Sequence, residues 1–324
     1  MLAQLKDKVI DRFRPSWPPY YQMDDLMAQA VAGTEEKMSK LEKLYHKTQT
    51  HAWDGKAVLQ GLIEKHGGIN IDEETKRSIA TVFSIILWGE LAAWRIAADL
   101  ADRIEDVDAK MAATGQAFDE ARHFYVMRDY LARLNIEIPK LDIATQVLLD
   151  SLINETNVLK KVMGMQLLVE TIALTIFQTV RELEVEPVLS ELLRYYEIDE
   201  ARHVGLGVMY VPKLLNEASR WQIYDLNGFQ VKVFVLLTLG SFAIEKDLRR
   251  MGLSTAYLNR VGYEKQMAIY RDMINHGRFK GWEMFTEQAQ QPWVRIADWL
   301  FPPETAKGPK RKRDQEVPVA GYSN

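Results

Sequence analysis

The spacing of apolar residues along this 324-residue chain predicts a protein built almost wholly of helices. Apolar side chains recur three and four positions apart, which is the period of a helix that buries one face, and no stretch alternates convincingly as a strand does. We therefore predict an all-α fold. The expected helices cover about 22–48, 54–66, 73–104, 108–135, 141–153, 156–184, 187–215, 218–250, 255–277 and 280–300.

The ends of the chain differ from this helical middle. Residues 1–21 are rich in Pro and aromatic side chains and are predicted to form an extended arm. Residues 303–324 turn polar and basic and are predicted to be a disordered, solvated tail. Residues 22–302 are expected to form a single helical domain, and the segment of about 73–215 stands out because its apolar helices contain acidic residues.

The pentapeptide Asp-Glu-Ala-Arg-His occurs twice, at 119–123 and at 199–203. Each copy contains Glu-x-x-His, and residues three apart on an α-helix share a face. A further Glu stands 30 residues before the Glu of each copy, in an apolar stretch. The residues of this repeated pattern are Glu90, Glu120, His123, Glu170, Glu200 and His203. Four Glu and two His in this order are the ligand set of a dinuclear metal site inside a four-helix bundle.

The spacing also places the six side chains at one height. In an antiparallel helix hairpin, two residues equally distant from the turn lie opposite each other. The midpoint of the first 30-residue interval is Glu105, in a polar run, and that of the second is Val185, two residues before a proline. Each candidate ligand then lies about 15 residues, or ~22 Å, from its turn. We therefore predict that all six converge and hold two metal ions.

The apolar surroundings of Glu90 and Glu170 support this prediction. A buried carboxylate without a partner costs several kcal/mol, and metal coordination removes that cost. A single Glu in an apolar stretch could instead pair with a buried Arg, or could lie at the edge of the apolar face of its helix. A Glu at the same distance before both pentapeptides favours a metal site.

Apolar and aromatic residues near the candidate ligands are predicted to line a substrate pocket, with core packing as the alternative. They are Trp94, Leu174, Phe177 and Tyr196.

The remaining pentapeptide residues are predicted to support the ligands. A metal-bound His usually donates its other ring N–H to a carboxylate or a carbonyl. Asp119 and Asp199 are expected to accept this bond from the His of the opposite half, and Arg122 and Arg202 to neutralise the two aspartates. The alternative is a solvated surface pair on the outer face of each helix.

With these residues the chain resembles the ferritin-like di-iron carboxylate superfamily. The similar branch includes ribonucleotide reductase small subunits, bacterial multicomponent monooxygenase hydroxylases and soluble acyl-carrier-protein desaturases. The resemblance covers about 75–215 and leaves the subfamily open. It implies a ferritin-like four-helix bundle, which the length of the chain extends by additional helices. It also implies two Fe ions, or Mn with Fe, and dioxygen as a co-substrate.

The resulting hypothesis is an oxygenase or oxidase that acts on an apolar or aromatic organic substrate. An external electron donor (a reductase or ferredoxin) and a homodimer are expected. One alternative is a radical-generating subunit like that of ribonucleotide reductase, although Met127 stands where those subunits usually carry a radical Tyr. The other is a ferritin-like iron oxidation or storage protein, although this chain is longer than a minimal ferritin.

Composition agrees with an ordinary soluble enzyme of the cytoplasm. The chain has no cysteine, which excludes disulfides and thiolate ligands. Its formal net charge of −4 gives no case for nucleic-acid binding. The first residues lack the apolar core of a signal peptide. The most apolar run, 233–244, is shorter than the ~20 residues of a membrane span. We predict that this run is a buried core helix, and we expect no membrane partner.

Overall fold

The computed structural model describes residues 38–309, and within that range every regular element is helical. The all-α fold predicted from the sequence is confirmed. The arm predicted at 1–21, the first part of the helix expected over 22–48 and most of the tail predicted over 303–324 lie outside the described residues.

Ten α-helices occupy the described part of the chain. They are α1 Lys40–Thr50, α2 Gly55–His66, α3 Glu73–Arg103, α4 Val107–Arg133, α5 Ile143–Ile153, α6 Val158–Leu183, α7 Pro187–Glu217, α8 Arg220–Arg250, α9 Thr255–Asn275 and α10 Glu287–Leu300. The helix predicted over 280–300 divides into a 3₁₀ turn, Trp282–Phe285, and α10. The continuous helix predicted over 22–48 is wrong in one respect, because α1 begins only at Lys40, where the hydroxyl of Ser39 caps its first turn. The other predicted bounds that fall in the described range agree with the structure within about two residues.

Capping side chains fix where two of the bundle helices begin. Asp106 accepts a hydrogen bond from a backbone N–H in the first turn of α4. Glu186 does the same for α7, whose first residue is Pro187. Such caps satisfy N–H groups that have no partner within the helix, and proline is favoured at that position because it has no N–H. The turns at 104–106 and 184–186 therefore lie at the midpoints expected from the sequence.

Helices α3, α4, α6 and α7 form a four-helix bundle in which α3 packs along α4 and α6 along α7. Helices α1 and α2 cover α4 and α7 on one side. On the other side, α5 and α8 pack on α3, while α9 packs on α6 and carries α10. The additional helices thus form layers on both sides of the bundle.

The apolar core is divided into two clusters by a polar layer halfway along the bundle. On α3, Phe83 belongs to one cluster and Ile96 to the other, and Glu90 lies between them. On α7, Leu193 and Leu206 are divided in the same way by the second pentapeptide. Apolar packing above and below therefore holds the polar layer in place and keeps it away from bulk water.

Helix α6 contains an irregular turn that the apolar pattern did not predict. Residues Met163–Val169 form a π-helix that ends immediately before Glu170. Such turns are rare and occur frequently at functional sites. Gly207 of α7 packs against this turn, since a Cβ added at Gly207 would lie 2.7 Å from Leu167 Cδ2. The glycine therefore allows α7 to approach the irregular turn closely.

Helix α8 differs from its prediction as a buried core helix. Only Val233 and Gly240 are buried in the apolar run 233–244. Among the described helices, α3, α6 and α8 have the length and apolar composition of a membrane span. The most apolar window is 61% buried in α3 and 72% buried in α6, but only 17% buried in α8. The prediction was wrong because α8 lies in the outer layer and packs on the bundle with one side only.

Candidate metal centre

The six predicted ligands meet inside the bundle as two overlapping groups of four. In each group, one ligand atom from every residue lies within 4.8 Å of the others. Glu120 and Glu200 belong to both groups. Glu90 and His123 complete the first group, and the second is completed by Glu170 and His203, all of them buried. The two groups could hold two metal ions at adjacent positions, and Glu120 and Glu200 would be available to both.

Both histidines direct Nδ1 into the centre. The Nδ1 atom of His123 lies 3.1 Å from Oε1 of Glu200 and 3.4 Å from Oε2 of Glu90. The Nδ1 atom of His203 lies 3.0 Å from Oε1 of Glu120 and 2.9 Å from Oε2 of Glu200. Since the opposite ring nitrogen points away from the centre, each imidazole is placed to bind a metal ion through Nδ1.

Buried atoms without hydrogen-bond partners show that a metal pair fits this site. Among the described residues they include Oε2 of Glu120, Nδ1 of His123 and Oε1 of Glu200. Leaving such atoms unsatisfied costs about 1–3 kcal/mol each, and metal coordination would satisfy all three. Four carboxylates and two neutral imidazoles balance the charge of two divalent cations. Oxygen-rich ligands without sulfur suit Fe and Mn better than a structural zinc site.

Each pentapeptide orients the histidine of the other copy. Oδ2 of Asp199 accepts a hydrogen bond from Nε2 of His123, with the two atoms 3.0 Å apart. Oδ2 of Asp119 lies 3.4 Å from Nε2 of His203. An N–H bond at Nε2 leaves the Nδ1 lone pair free for a metal ion. The two carboxylates therefore favour the tautomer that the metal centre needs.

Two arginines link the aspartates into a charge-balanced group of four. Arg122 donates to Asp119 and, over 2.8 Å, to Asp199. Arg202 donates to the same two carboxylates. All four residues are buried, so the solvated surface pair considered as an alternative is wrong. Burial opposes ionisation of Asp119 and Asp199, but hydrogen bonds from the histidines and the charges around them lower the pKa of both aspartates.

Burial and mutual repulsion separate the pKa values of the acidic ligands. Burial raises the pKa of Glu90 and Glu170 well above the usual value for Glu, and the neighbouring carboxylates add to this effect. Burial acts on Glu120 and Glu200 in the same direction, but the two histidines outweigh it and lower the pKa of both. The surroundings therefore favour the ionised form at the shared Glu120 and Glu200 and the neutral form at Glu90 and Glu170.

The histidines show the complementary effect. Burial disfavours the imidazolium of His123 and His203, but the surrounding carboxylates outweigh burial and raise the pKa of both rings well above the usual value. Protons on these rings therefore neutralise the metal-free site. Metal binding requires neutral imidazole, so it releases these protons.

No protein-family model and no curated protein matches the chain, but solved structures do. A variant of R2-like ligand-binding oxidase with an aerobically reconstituted Mn/Fe cofactor aligns with a TM-score of 0.56 and 16% identity, over 75% of this chain and 97% of that one. Another variant, with an anaerobically reconstituted Mn/Fe cofactor, aligns with a TM-score of 0.52 and 16% identity, over 85% and 98%. The same oxidase after photoconversion gives 0.52 and 15%, over 85% and 98%.

The chain therefore has a ferritin-like fold, similar to that of these solved structures. At these identities the likeness establishes the fold, and what the site does must be argued from its own geometry.

Two buried glutamines belong to this site although the repeated motif did not indicate them. Gln116 donates to Oε1 of Glu170 over 2.8 Å and to Oε1 of Glu120 over 3.1 Å. Gln166, in the π-helical turn, donates to the side-chain oxygen Oε1 of Gln116 over 2.9 Å. Gln116 lies one turn before Glu120 and therefore shares its face, which is the sequence signal that could have found it. Nothing in the local sequence indicates Gln166, because the irregular turn decides where it points.

Trp53 is a further residue of the site that the sequence analysis missed. Its indole N–H donates to Oδ2 of Asp199 over 2.8 Å, and its ring lies 4.8 Å from the guanidinium of Arg122. Trp53 precedes α2 and is far from the bundle in sequence, so no helical periodicity links it to the ligands. It closes the side of the site that α1 and α2 cover.

Tyr196 lies against a ligand, although it does not line the cavity. Its ring stacks on His123 with the centroids 4.3 Å apart. Its hydroxyl donates to the backbone oxygen of His123 over 2.7 Å. Tyr196 therefore helps to fix both the ring and the backbone of this ligand.

The other residues predicted to line a pocket serve different purposes. Leu174 and Phe177 are buried in the core, where Phe177 packs edge-on against Tyr196, so the packing alternative describes them. The prediction for Trp94 is wrong, because its side chain is 40% exposed and contacts Phe124 on the outer surface. Trp94 lies four positions after Glu90, so its side chain is rotated by about 40° around the helix axis relative to that of Glu90. Glu90 faces the centre, and this rotation turns Trp94 toward the outer surface.

A cavity of about 530 Å³ lies between the bundle and the outer helices α8, α9 and α10. Its wall is mostly apolar, with side chains from all three outer helices. Glu90 and Glu170 form part of this wall, together with Gly89, Ala93 and Ala173 of the same two bundle helices. The cavity therefore reaches two of the six candidate ligands.

Proposed function

We propose that this protein is an oxidoreductase that uses a dinuclear Fe or Mn/Fe centre and dioxygen to oxidise an apolar organic molecule. The observation that carries the proposal is the cavity, because the carboxylates of Glu90 and Glu170 form part of its wall. A mostly apolar space of about 530 Å³ beside the candidate ligands has the size and lining of a small-molecule site, which iron storage does not require. The two metal ions, when bound, would supply the electrons that activate dioxygen.

The residues around the centre would support such a reaction in three ways. Asp119 and Asp199 orient the imidazoles and keep Nδ1 available. Gln116 holds the carboxylate of Glu170, which borders the cavity. The apolar wall excludes water from the space where the substrate would lie. Exclusion of water protects a reactive centre from side reactions and strengthens its electrostatic interactions.

The solved structures of similar fold support the proposal, since they are oxidases with a Mn/Fe cofactor. A reductase or ferredoxin would return the electrons that each turnover consumes, and a homodimer is the expected assembly. Oxygenase and oxidase outcomes differ only in whether oxygen enters the product. Labelled dioxygen distinguishes them.

The test fills the cavity without touching a ligand. Gly89 lines the cavity beside Glu90, and a Cβ added there meets nothing within 4 Å. In Gly89→Leu, we expect two metal ions to bind as in the wild type. Reduced, iron-loaded protein is mixed with dioxygen in the presence of toluene or decane, and the optical absorption is followed by stopped flow. The hydrocarbon should alter the decay of the absorption in the wild type but not in Gly89→Leu.

Gly61→Leu is the matched control, because Gly61 also lies in a helix, meets nothing within 4 Å and is far from the cavity. This variant should respond to the hydrocarbons as the wild type does. Formation of a mineral iron core, without any effect of the hydrocarbons, would replace the oxidoreductase proposal with the storage alternative.

A further inference from the structure

The outer face of α8 carries an exposed apolar stripe. Its large side chains recur three to four residues apart or at multiples of that spacing, so they follow one side of the helix. They are Trp221, Tyr224, Val231, Val235, Leu239 and Phe242, each between 38% and 81% exposed. From position 221 to 242 the stripe extends ~32 Å along the helix. Two helical turns separate Tyr224 from Val231, and from Val231 to Phe242 a large apolar side chain recurs at every turn. Clustered exposed apolar side chains of this kind mark an interaction surface.

The inner face of α8 is apolar as well. Leu226, Phe229, Val233 and Leu248 are buried against the rest of the fold. Side chains between them, such as Leu237, line the cavity. α8 therefore has two opposite apolar faces, and an apolar helix face is normally covered. Because its inner face is packed on α3 and α5, α8 would lie along an apolar phase rather than cross it.

Aromatic residues lie at the edge of this surface. Trp221 and Tyr224 begin the stripe with 81% and 73% exposure, and Trp299 of α10 is 79% exposed. Phe242 packs against Phe301, just after α10, which connects the two helices at the far end. Exposed Trp and Tyr beside an apolar stripe are typical of the interface between water and lipid.

The charge of the chain is distributed to match an anionic surface. Residues 220–324 contain 16 Lys and Arg against 11 Asp and Glu, whereas residues 1–219 contain 25 against 34. The last turn of α8 includes Arg249 and Arg250, which pair with Glu245 and Glu74 but remain exposed to solvent. The backbone of Lys307 is hydrogen-bonded to Ser254, near the end of α8. In the sequence, the basic run Lys-Arg-Lys-Arg at 310–313 begins three residues after Lys307.

We propose that the outer face of α8 binds the surface of a membrane that contains anionic lipids. The apolar stripe enters the boundary between headgroups and acyl chains, and the basic residues near the end of α8 contact the headgroups. The run 233–244 alone indicated a buried core helix, and its exposure in the fold contradicts that expectation. Binding of α8 to a membrane surface does not depend on the metal centre.

The experiment measures sedimentation of the full chain with sucrose-loaded vesicles of phosphatidylcholine, with and without phosphatidylglycerol. The test variant is Leu239→Gln combined with Phe242→Gln, whose parent side chains are 51% and 49% exposed. The matched control is Ile198→Gln combined with Phe118→Gln, at 53% and 58% exposure on the bundle. We expect the wild type and the control to bind vesicles that contain phosphatidylglycerol, and the test variant to bind at least about tenfold more weakly. Binding should also weaken as salt is raised.

Circular dichroism shows whether each variant is folded, since all four substitutions are at exposed positions. The proposal fails if the wild type does not sediment with phosphatidylglycerol vesicles, or if the test variant binds them as well as the control does. It also fails if, without lipid, the wild type self-associates in analytical ultracentrifugation and the test variant is monomeric. In that case a second copy of the chain covers α8.

Discussion

The ring of His123 lies 3.0 Å from the carboxylate of Asp199, which belongs to the other copy of the pentapeptide. The reciprocal pair, His203 and Asp119, is separated by 3.4 Å. Each copy therefore orients the imidazole of the other, and the two halves of the centre depend on each other. The repeat is thus more than two independent ligand pairs, because each pentapeptide also supplies the support of its partner.

Replacing Asp199 with Ala should weaken metal binding by about 10–100-fold, because the imidazole of His123 loses the acceptor that fixes its tautomer. Competition with a chelator measures the affinity for Mn(II) and Fe(II), and circular dichroism checks the fold. Asp199→Asn keeps an acceptor oxygen and should lose less affinity. Wild-type affinity in Asp199→Ala would show that Asp199 does not support the ligand.

The ligand changes should fall into two classes according to how many metal positions each residue serves. Glu120→Ala and Glu200→Ala should abolish binding of both ions, because both groups of ligand atoms contain these residues. Glu90→Ala and Glu170→Ala should each leave one ion bound. Metal content measured by inductively coupled plasma mass spectrometry gives the stoichiometry. Anomalous scattering at the Mn and Fe edges identifies which position is lost and which metal occupies the other.

The metal-free protein should become less stable as the pH rises above about 6.5. The folded protein raises the pKa of His123 and His203, so it holds protons that the unfolded chain releases. The stabilisation from these bound protons is complete below about pH 6.5, the usual pKa of His. It is lost as the pH rises through the raised pKa values of the two histidines. The raised pKa values of Glu90 and Glu170 act in the same direction, beginning at lower pH.

Thermal unfolding of chelator-treated protein across this pH range measures the effect. The metal-loaded protein should show little of it, because the ions replace the protons. His203→Gln should flatten the profile of the metal-free protein. A melting temperature that rises with pH in the metal-free wild type would contradict the assignment of the protons.

The sequence allowed much of this arrangement to be predicted because its signals are local. Helical periodicity depends on neighbouring turns, and Glu120 and His123 share a face whatever surrounds them. The midpoints of the two intervals located the turns at 104–106 and 184–186. The convergence of six side chains thus follows from helix geometry and two short turns.

Other features depend on contacts between distant segments and were not predictable in this way. Trp53 reaches Asp199 only because α2 folds over α4 and α7. Trp94 has the spacing of an inward residue but lies at the outer edge of the bundle. The apolar composition of α8 is the same whether the helix is covered or exposed, and only its position in the outer layer decides which.

Gln116 should influence one metal position more than the other. Its amide donates to Glu170, which belongs to the second group only, and to the shared Glu120. In Gln116→Leu, we expect metal binding at the position served by Glu170 and His203 to weaken severalfold. Binding at the position served by Glu90 and His123 should be less affected. The buried Gln166 also loses its acceptor, which should lower the free energy of unfolding by about 1–3 kcal/mol. Calorimetric titration with Mn(II) resolves the two binding steps, and equal weakening of both would contradict this assignment.

Gly207 tests whether the π-helical turn depends on close packing. A Cβ at this position would lie 2.7 Å from Cδ2 of Leu167 and 2.9 Å from Cβ of Gln166, so Gly207→Ala must displace the turn that precedes Glu170. Overpacking of this kind costs about 1–3 kcal/mol, more than the ~1 kcal/mol that Ala gains over Gly in a helix. Gly61→Ala, which meets nothing within 4 Å, should instead stabilise the protein. Urea unfolding of the two variants gives the comparison, and stabilisation by both would show that Gly207 borders open space.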